Sequence, residues 1–501
     1  MISDILGGLM SLMDVSVLFL LFGGVIVGII FGAIPGLSAT MAVTLFLPFT
    51  YAMNITPGIS LLLGLYVGGV SGGLISAILI NIPGTPSSIA TTFDGGPLAK
   101  HGQAGKALGV AIVFSFLGGL FSFIALLLIA PQIALLALKF SPVEYFAVIA
   151  FSMTLVSSLA GKDFIRGIIS ACIGLFISQI GSAPIDGTVR FTLGFKELSG
   201  GFDLVAVMIG FFAIPEILQA ARDSVRNTKI VKVNFEKIKG FGFSFREFVT
   251  QIPNFIRSAL IGTGIGILPG IGGGTSNILA YMAAQKSSKH PEKFGTGIID
   301  GVVASESANN AAIGGAAIPL LTMGIPGDPV TAVLLGGLIV KGIAPGPLFL
   351  STQGKLFYTI FFGLMIANVM MIIAQFSGLR FFVKLLNINK AFMLPSIVVL
   401  CSIGAFGSTN RVFNIYAMMI CGLVAYTLIR FKFPVTPIII SYVLGNMLEE
   451  NLRRGLMFTD GNFLGFFKSP IAAVFLAIGI LSVVYSIILE LKRARTKKVT
   501  A

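Results

Sequence analysis

Charged residues are scarce in this chain. They make up 11% of its 501 residues, whereas hydrophobic residues make up 55% and the mean hydropathy is +0.97. Soluble domains carry about 25% charged residues, so the composition excludes an ordinary soluble protein. The apolar runs are about 17–25 residues long, which suits membrane-crossing helices and not the ten-residue alternation of a β-barrel. The sequence therefore predicts an all-α polytopic membrane protein with about 12 or more membrane segments.

Histidine and cysteine are also rare. The two histidines, His101 and His290, fall in predicted loops, which leaves no Ser-His-Asp triad and argues against haem or zinc ligation. The three cysteines, Cys172, Cys401 and Cys421, lie in apolar segments, where cysteine behaves as a small buried hydrophobe. We therefore expect neither a disulfide framework nor a cofactor. The N-terminal segment has acidic residues but no basic stretch, which argues against a cleaved signal peptide.

Positive charge, in contrast, is plentiful but concentrated in two places. The net charge is +14, and its main clusters are the segment 222–246 and the tail from Lys492 onward. Clusters of Lys and Arg beside membrane helices mark the cytoplasmic side and can contact anionic lipid headgroups. No nucleic-acid-binding motif accompanies the charge, so the expected partner is the lipid bilayer and not nucleic acid.

Two Pro-Gly breaks recur in the same order along the chain. GAIPGLSAT begins at Gly32 and GILPGIGGGTSN at Gly266, while NIPGTP begins at Asn81 and GIPGDP at Gly324. The nearly constant separation predicts an internal repeat. The predicted regions are a first membrane repeat at 1–221, a basic cytoplasmic linker at 222–249, a second membrane repeat at 250–455, and an extra C-terminal helix with a basic tail at 456–501.

The loop charges indicate that the two repeats are inverted. The loop 285–297 contains three lysines and is predicted to be cytoplasmic, whereas its first-half counterpart, YAMNITPG, has no basic residue and is predicted to lie outside. The N-terminus then faces outside and the C-terminus the cytoplasm. Arg453 and Arg454 fall on the outside, against this rule, but Glu449 and Glu450 stand at the helical spacing that neutralises them.

Broken helices point to a transport function. The segments 37–53, 274–285 and 330–340 are too short to cross a bilayer alone, and we interpret them as half-helices or arms of re-entrant hairpins. Inverted repeats with such breaks are typical of secondary transporters. The N-terminus of a half-helix favours a carboxylate, glycine lets the backbone approach closely, and Ser, Thr and Asn add polar ligands. The alternative is that the Gly-rich stretches only permit tight helix packing.

Those properties select the predicted substrate-binding residues. They are Pro35, Gly36, Ser38, Thr40, Gly84, Thr85, Pro269, Gly270, Gly272, Gly273, Gly274, Thr275, Ser276 and Asn277.

Carboxylates and amides near the breaks predict where an ion is coupled. A carboxylate such as Glu306 at membrane depth is costly and usually functional, although it could instead be a structural hydrogen-bond hub. Glu216, near a cytoplasmic helix end, is left without a role. The predicted ion-coupling residues, which could hold Na⁺, are Asn81, Glu306, Asn309, Asn310, Gly327 and Asp328.

Four stretches together resemble a known family. GAIPGLSATMAVTLFLPFTY, NIPGTPSS, GILPGIGGGTSNILAY and ASESANNAAIGGAAIPLLTMGIPGDP resemble the large membrane subunit of tripartite tricarboxylate transporters, the TctA family, and the resemblance spans nearly the whole chain. It implies uptake of tricarboxylates or other carboxylates across a bacterial or archaeal inner membrane, with Na⁺ or H⁺ as the driving ion. It also implies two partners, a small membrane subunit and a periplasmic or extracellular solute-binding protein.

Two other functions stay open. In a passive anion channel the broken helices would form a filter, and counterflow with a dissipated ion gradient would distinguish a transporter from it. A membrane-embedded enzyme would need a nucleophile and a base, and it would show activity on lipid or isoprenoid substrates. The sequence does not identify the carboxylate, the ion or the oligomeric state.

Overall fold

The computed structural model describes residues 2–159, 164–223, 242–386 and 390–499, and it is almost entirely helical. The helices before the linker are α1 (Ile2–Leu12), α2 (Val15–Ala33), α3 (Ala39–Phe46), α4 (Ile55–Leu79), α5 (Ile89–Leu98), α6 (Ala104–Ala137), α7 (Pro142–Leu159), α8 (Phe164–Ser178), α9 (Leu204–Met208) and α10 (Ile214–Asp223). The helices after it are α11 (Phe245–Ile267), α12 (Gly272–Ser287), α13 (Ile299–Met323), α14 (Pro329–Val340), α15 (Phe349–Thr352), α16 (Gly354–Leu385), α17 (Lys390–Thr409), α18 (Val412–Arg430), α19 (Val435–Phe458) and α20 (Pro470–Val499). Two short strands, β1 (Gly181–Ser182) and β2 (Val189–Arg190), pair antiparallel between α8 and α9. Most of the predicted basic linker, 224–241, lies outside the described residues.

Eight helical runs within the described ranges are long and apolar enough to cross a membrane. They are Val15–Ala33, Ile55–Leu79, Pro86–Ala137, Leu204–Arg222, Gly354–Leu385, Ala391–Thr409, Val412–Arg430 and Pro470–Ile488. The prediction of an all-α polytopic membrane protein is confirmed, while the predicted number of crossings stays a prediction.

The three short segments form separate helices. The segment 37–53 becomes α3 followed by a 3₁₀ helix, and the segments 274–285 and 330–340 become α12 and α14. A fourth short helix, α5, lies outside the predicted segments and follows the 3₁₀ turn Pro86–Ser88. Each of these four helices begins directly after a break that contains Pro-Gly.

Glycines bring the long helices of each part close together. A Cβ atom on Gly28 of α2 would lie 2.6 Å from the carbonyl oxygen of Leu65, and one on Gly32 would lie 2.2 Å from that of Gly69. Small residues at every fourth position are a common means of close helix packing in membranes. Since both contacts advance in the same direction, α2 and α4 run parallel. The helices α11 and α13 pack against each other in the second part of the chain.

Helices from the two parts of the chain also pack against each other. The helix α6 packs on α13 of the second part, and α16 packs on α4 of the first part. Likewise α19 packs on α7 and α8, while α9 and α10 pack on α17 and α18. The largest hydrophobic cluster among the described residues therefore contains side chains from both parts of the chain.

The turn of the β-hairpin is tied to the end of α19. Arg453 contacts Glu449 at 2.9 Å and Asp186 in the hairpin turn at 2.7 Å. Arg454 contacts Glu450 at 2.6 Å. The predicted pairing of both arginines with glutamates at helical spacing is confirmed. Glu449 also pairs with Arg190, and Asp186 in the hairpin adds a carboxylate that the sequence pattern did not indicate.

Candidate functional site

Four half-helices begin at one central cavity. They are α3, α5 with the 3₁₀ turn before it, α12 and α14, so each part of the chain supplies two. The cavity has an empty volume of about 900 Å³, part of which is open to solvent. Because all four helices present their N-termini, the ends that carry partial positive charge meet at the same place.

The helix α3 begins with a serine cap. Ser38 has an extended backbone and its hydroxyl oxygen accepts a hydrogen bond from the backbone N–H of Met41 at 3.1 Å. Thr40 in the first turn lines the cavity beside it. Ser38 is buried, so the cap places a polar group where the surroundings are otherwise apolar.

The turn before α5 is closed by a capping box. The backbone N–H of Thr85 donates to the hydroxyl oxygen of Ser88 at 3.2 Å, and the Thr85 side chain accepts from the backbone of Ser88 in return. The hydroxyl groups of Thr85 and Ser87 share a hydrogen bond at 3.0 Å. This turn therefore presents two hydroxyl groups and a helix N-terminus to the cavity.

No side chain of the described residues caps the N-terminus of the helix α12. Gly272 has a φ of 59°, a left-handed conformation that glycine adopts without a Cβ clash. Gly273 comes close to the opposite wall, since a Cβ atom there would lie 2.8 Å from Asn309 Oδ1 and 3.1 Å from Ser87 Cβ. The first turn of α12 lines the cavity with backbone groups that no side chain caps, which is an arrangement that binds anions.

The helix α14 is capped by a carboxylate. Asp328 Oδ1 accepts from the backbone N–H of Thr331 at 2.7 Å and from its hydroxyl at 2.7 Å. The hydroxyl of Tyr66, on α4, donates to Asp328 Oδ2 at 2.6 Å. Among the described residues that line the cavity, Asp328 is the one with a formal charge. The cavity thus combines positive helix ends with one fixed carboxylate.

Two buried amide oxygens near the cavity have no hydrogen-bond partner among the described residues. They are Oδ1 of Asn309, a residue that lines the cavity, and Oδ1 of Asn277, a residue that does not. Asn309 Oδ1 lies beside Gly273. The side-chain amide of Asn277 donates to the carbonyl oxygen of Ser87, which joins α12 to the turn before α5. A buried oxygen without a partner destabilises a protein unless a ligand or ion satisfies it. Asn309 Oδ1 and the Asp328 carboxylate therefore offer oxygen ligands of the kind that hard cations prefer.

Within the described ranges, no group of three or more His, Cys, Asp or Glu side chains is placed to hold a metal ion.

The structure brings many, but not all, of the predicted residues to the cavity. Those that line it are Ser38, Thr40, Thr85, Gly270, Gly272, Gly273, Gly274, Thr275, Asn309 and Asp328. Those that line a neighbouring space, described below, are Pro35, Gly36 and Gly84. Those that line neither are Asn81, Pro269, Ser276, Asn277, Glu306, Asn310 and Gly327.

Glu306 is fully buried and does not line the cavity. Its carboxylate accepts hydrogen bonds from the hydroxyl groups of Thr91 at 2.5 Å and Ser115 at 2.8 Å. It therefore joins α13 to α5 and α6, which is the geometry of a hydrogen-bond hub. The side-chain amide of Asn310 donates to the backbone carbonyl of Glu306 at 3.2 Å, so the Asn310 amide bonds to the preceding turn of α13.

Tyr66 was not among the predicted site residues. It is 1% exposed, in a helix that is buried along nearly its whole length, and its hydroxyl reaches Asp328. A phenol in the middle of an apolar helix needs a hydrogen-bond partner, and that requirement is the signal in the sequence that could have identified it. Ser87 and Thr436 also line the cavity without having been predicted.

Comparison with known proteins identifies the family. Residues 18–440 match the model of the family described as "Tripartite tricarboxylate transporter TctA family". The chain is 35% identical over 476 residues to the Agrobacterium vitis protein named "Uncharacterized 52.8 kDa protein in TAR-I ttuC' 3'region", covering 95% of this chain and 94% of that protein.

A second relative from the same organism matches a shorter region. It is named "Uncharacterized protein in TAR-II ttuC' 3'region" and is 37% identical over 234 residues, which is 47% of this chain and 97% of that protein. No solved structure gives a significant match to the chain. The family match covers the four breaks, the cavity and most of the helices described above. The chain is thus a multi-pass membrane protein that belongs to the TctA family of tripartite tricarboxylate transporters.

Proposed function

We propose that the chain is the membrane permease subunit of a binding-protein-dependent secondary transporter. It imports tricarboxylate or other carboxylate anions, and the uptake is coupled to Na⁺ or H⁺. Family membership supports the transporter class, and the cavity supports an anionic substrate.

The convergence of four helix N-termini on one cavity carries this proposal. Each N-terminus is equivalent to about +0.5 elementary charge. Among the described residues that line the cavity there is no Lys or Arg. The positive potential that a polyanion needs therefore comes from backbone N–H groups and from a co-transported cation.

Cation coupling is proposed at Asp328 and Asn309. The Asp328 carboxylate lines the same cavity as the helix N-termini and would repel a carboxylate substrate while it is unneutralised. A bound Na⁺ or a proton removes that repulsion, so substrate and cation favour each other's binding. Asn309 Oδ1, which has no hydrogen-bond partner in the part of the chain that the structure describes, supplies a further oxygen ligand for Na⁺.

The two parts of the chain act as inverted repeats in this mechanism. Four elements follow one another in the same order in each part. They are a pair of helices (α2 with α3, α11 with α12), a long helix (α4, α13), a break followed by a half-helix (α5, α14) and a second long helix (α6, α16). The exchanged packing of α6 on α13 and of α16 on α4 supports a pseudo-two-fold relation between the parts. Movement of one repeat against the other around a central site then gives alternating access.

The proposed setting follows from the loop charges and the family. The permease lies in the inner membrane with its N-terminus outside and its C-terminus in the cytoplasm. It works with a small membrane subunit and a periplasmic or extracellular solute-binding protein. The described residues form no sizeable soluble domain that would capture a scarce solute, which supports the need for a separate binding protein.

Counterflow in proteoliposomes tests the proposal. Vesicles that contain the chain and the small membrane subunit are loaded with unlabelled citrate, as a tricarboxylate probe, and diluted into labelled citrate with the solute-binding protein. A transporter transiently accumulates label above equilibrium after all ion gradients have been dissipated. A passive anion channel only equilibrates the label, and that result would contradict the proposal.

Omission of single components completes the test. Without the solute-binding protein, uptake at low citrate concentration is expected to be lost, and without a Na⁺ or H⁺ gradient, net accumulation is expected to be lost. High-affinity uptake by the chain alone would contradict the dependence on a binding protein. Turnover of a lipid or isoprenoid substrate in detergent would favour a membrane-embedded enzyme instead.

A further inference from the structure

A second space adjoins the central cavity on one side. This space, which we call the vestibule, has an empty volume of about 1290 Å³ and is lined by residues of the two first-part breaks and of α10. Ser38, Thr85 and Pro86 line both the cavity and the vestibule, so these three residues form the neck between the two spaces. The vestibule lies at the side where α4, α10 and α16 end, because Ile80 and Leu386 line it.

The break of the second part is packed among apolar side chains. Ile325 in the second-part break corresponds by the repeat to Ile82 in the first-part break. Ile82 lines the vestibule and is partly exposed, whereas Ile325 is fully buried in a cluster with Val156, Ile440 and others. Equivalent isoleucines thus line an open space in the first part and lie in a packed apolar cluster in the second part.

One charged side chain stands at the neck. Among the described residues that line the vestibule, Glu216 is the one with a formal charge. The Ser38 hydroxyl donates to both carboxylate oxygens of Glu216, at 2.9 and 2.8 Å, and its oxygen accepts from the backbone N–H of Met41 at 3.1 Å. The only proton of this hydroxyl is therefore held by Glu216 and is not offered to a ligand in the cavity.

We propose that the vestibule is the access route to the cavity in this conformation and that Glu216 is a specificity-determining residue at its neck, which favours cations and disfavours anions. A single sign of charge in a narrow passage with low-dielectric walls concentrates the opposite ion. A carboxylate substrate passes this point only beside a cation or after Glu216 has been neutralised. This proposal deepens the transport function above, but its test needs no transported substrate.

Charge-selective thiol modification provides that test. In a background with Cys172, Cys401 and Cys421 replaced by serine, Thr40→Cys places one thiol in the cavity. A cationic and an anionic methanethiosulfonate reagent are applied from each side of the membrane. We expect Thr40→Cys to be modified only from the side of the vestibule. Each modification rate is divided by the rate of the same reagent with a free thiol in solution, and this ratio is expected to be about tenfold or more higher for the cationic reagent.

The variant Glu216→Gln separates charge from structure. It keeps an acceptor for Ser38 but removes the negative charge, so the preference for the cationic reagent is expected to fall several-fold. Glu292→Gln, on an exposed turn, is the matched control and leaves the preference unchanged. Ser87→Cys repeats the measurement if Thr40→Cys does not fold.

Three results would overturn the proposal. They are modification from the opposite side alone, no modification from either side in a folded protein, and a cation preference that Glu216→Gln does not alter. A chain that fails to transport citrate still gives a modification ratio, so failure of the transport function and failure of this proposal are distinguishable.

Discussion

The break 81–88 before α5 and the break 324–331 before α14 have the same local construction. Both contain Ile-Pro-Gly, a capping residue and a second proline, and both close a capping box with a hydroxyl residue three positions after the cap. The cap is Thr85 in the first break and Asp328 in the second. The same hydrogen-bond pattern therefore forms at both helix N-termini. The caps differ in charge, since Thr85 is neutral and Asp328 carries a carboxylate.

The helices that face these caps differ in a matched way. Tyr66 on α4 and Asn309 on α13 stand at the same distance in sequence before the prolines of the two breaks. The Tyr66 hydroxyl donates a hydrogen bond to Asp328, whereas Asn309 Oδ1, near Ser87 and Gly273, has no partner among the described residues. The repeat thus supplies the shape of the cavity, and the departures from the repeat supply its chemistry.

The largest expected effect is the loss of stability when a side chain is added to the closely packed glycine of either break. A Cβ atom on Gly84 would lie 2.0 Å from the Gly32 carbonyl oxygen, and one on Gly327 would lie 2.5 Å from Ala316 Cα. Because backbone cannot move aside cheaply, Gly84→Ala and Gly327→Ala are each expected to destabilise the fold by roughly 1–3 kcal/mol or more. The measurement is thermal unfolding in detergent, followed by size-exclusion chromatography.

Gly264→Ala is the control for this pair. Nothing lies within 4 Å of a Cβ atom at that position of α11, so the melting temperature is expected to stay or rise slightly. Equal melting temperatures of Gly84→Ala, Gly327→Ala and Gly264→Ala would mean that the breaks are not closely packed.

Removing the charge that distinguishes the two breaks has the next largest effect. Asp328→Asn keeps a side chain that caps helices well, so folding is expected to change little. Ion-driven uptake is expected to fall about ten- to hundredfold, since a lost interaction with a charged group costs about 1.5–3 kcal/mol. Citrate binding without an ion gradient is not expected to weaken, because a repelling carboxylate has been removed.

Thr85→Asp makes the reciprocal change. It adds a second carboxylate to the cavity and is expected to weaken citrate binding while leaving the capping box in place. Both variants are compared with the parent protein by citrate uptake and binding at fixed ion concentrations. Unaltered ion dependence in Asp328→Asn would place the coupling site elsewhere.

The smallest effect is expected from Tyr66→Phe. It removes the hydrogen bond from the hydroxyl to Asp328 Oδ2 and keeps the ring in its buried position. We expect a loss of about 1.5 kcal/mol, the lower end of the range for a hydrogen bond to a charged group, seen as a weaker dependence of uptake on the driving ion. Tyr485→Phe, on the exposed face of α20, is the control. An unchanged ion dependence would show that Asp328 does not need this partner.

The sequence predicts the helices and the breaks well because both depend on local chemistry. Long apolar runs give membrane helices, and Pro-Gly with a following Ser, Thr or Asp ends one helix and caps the next. The half-helices α3, α12 and α14 follow directly from these signals. The short helix α5 was missed because Gly95, Gly96 and Pro97 in its second half resemble a loop.

The facing direction of the buried residues could not be predicted. The helix α13 is buried along almost its entire length, so its sequence has no apolar stripe that would indicate which face meets the cavity. Asn309 and Glu306 stand one turn apart on this helix, yet only Asn309 lines the cavity. Which partners surround Glu306 depends on how α5 and α6 pack around it, and that packing is decided by contacts far apart in the sequence.

A cryo-EM map of the chain in lipid nanodiscs with citrate tests the central claim most directly. If the four helix N-termini form the carboxylate site, citrate density lies in the cavity between Ser38, Thr85 and Asp328, with carboxylate oxygens about 2.7–3.2 Å from the backbone nitrogens of Gly273 and Gly274. Ordered citrate at another place, with the cavity holding only water at saturating citrate, would contradict the account.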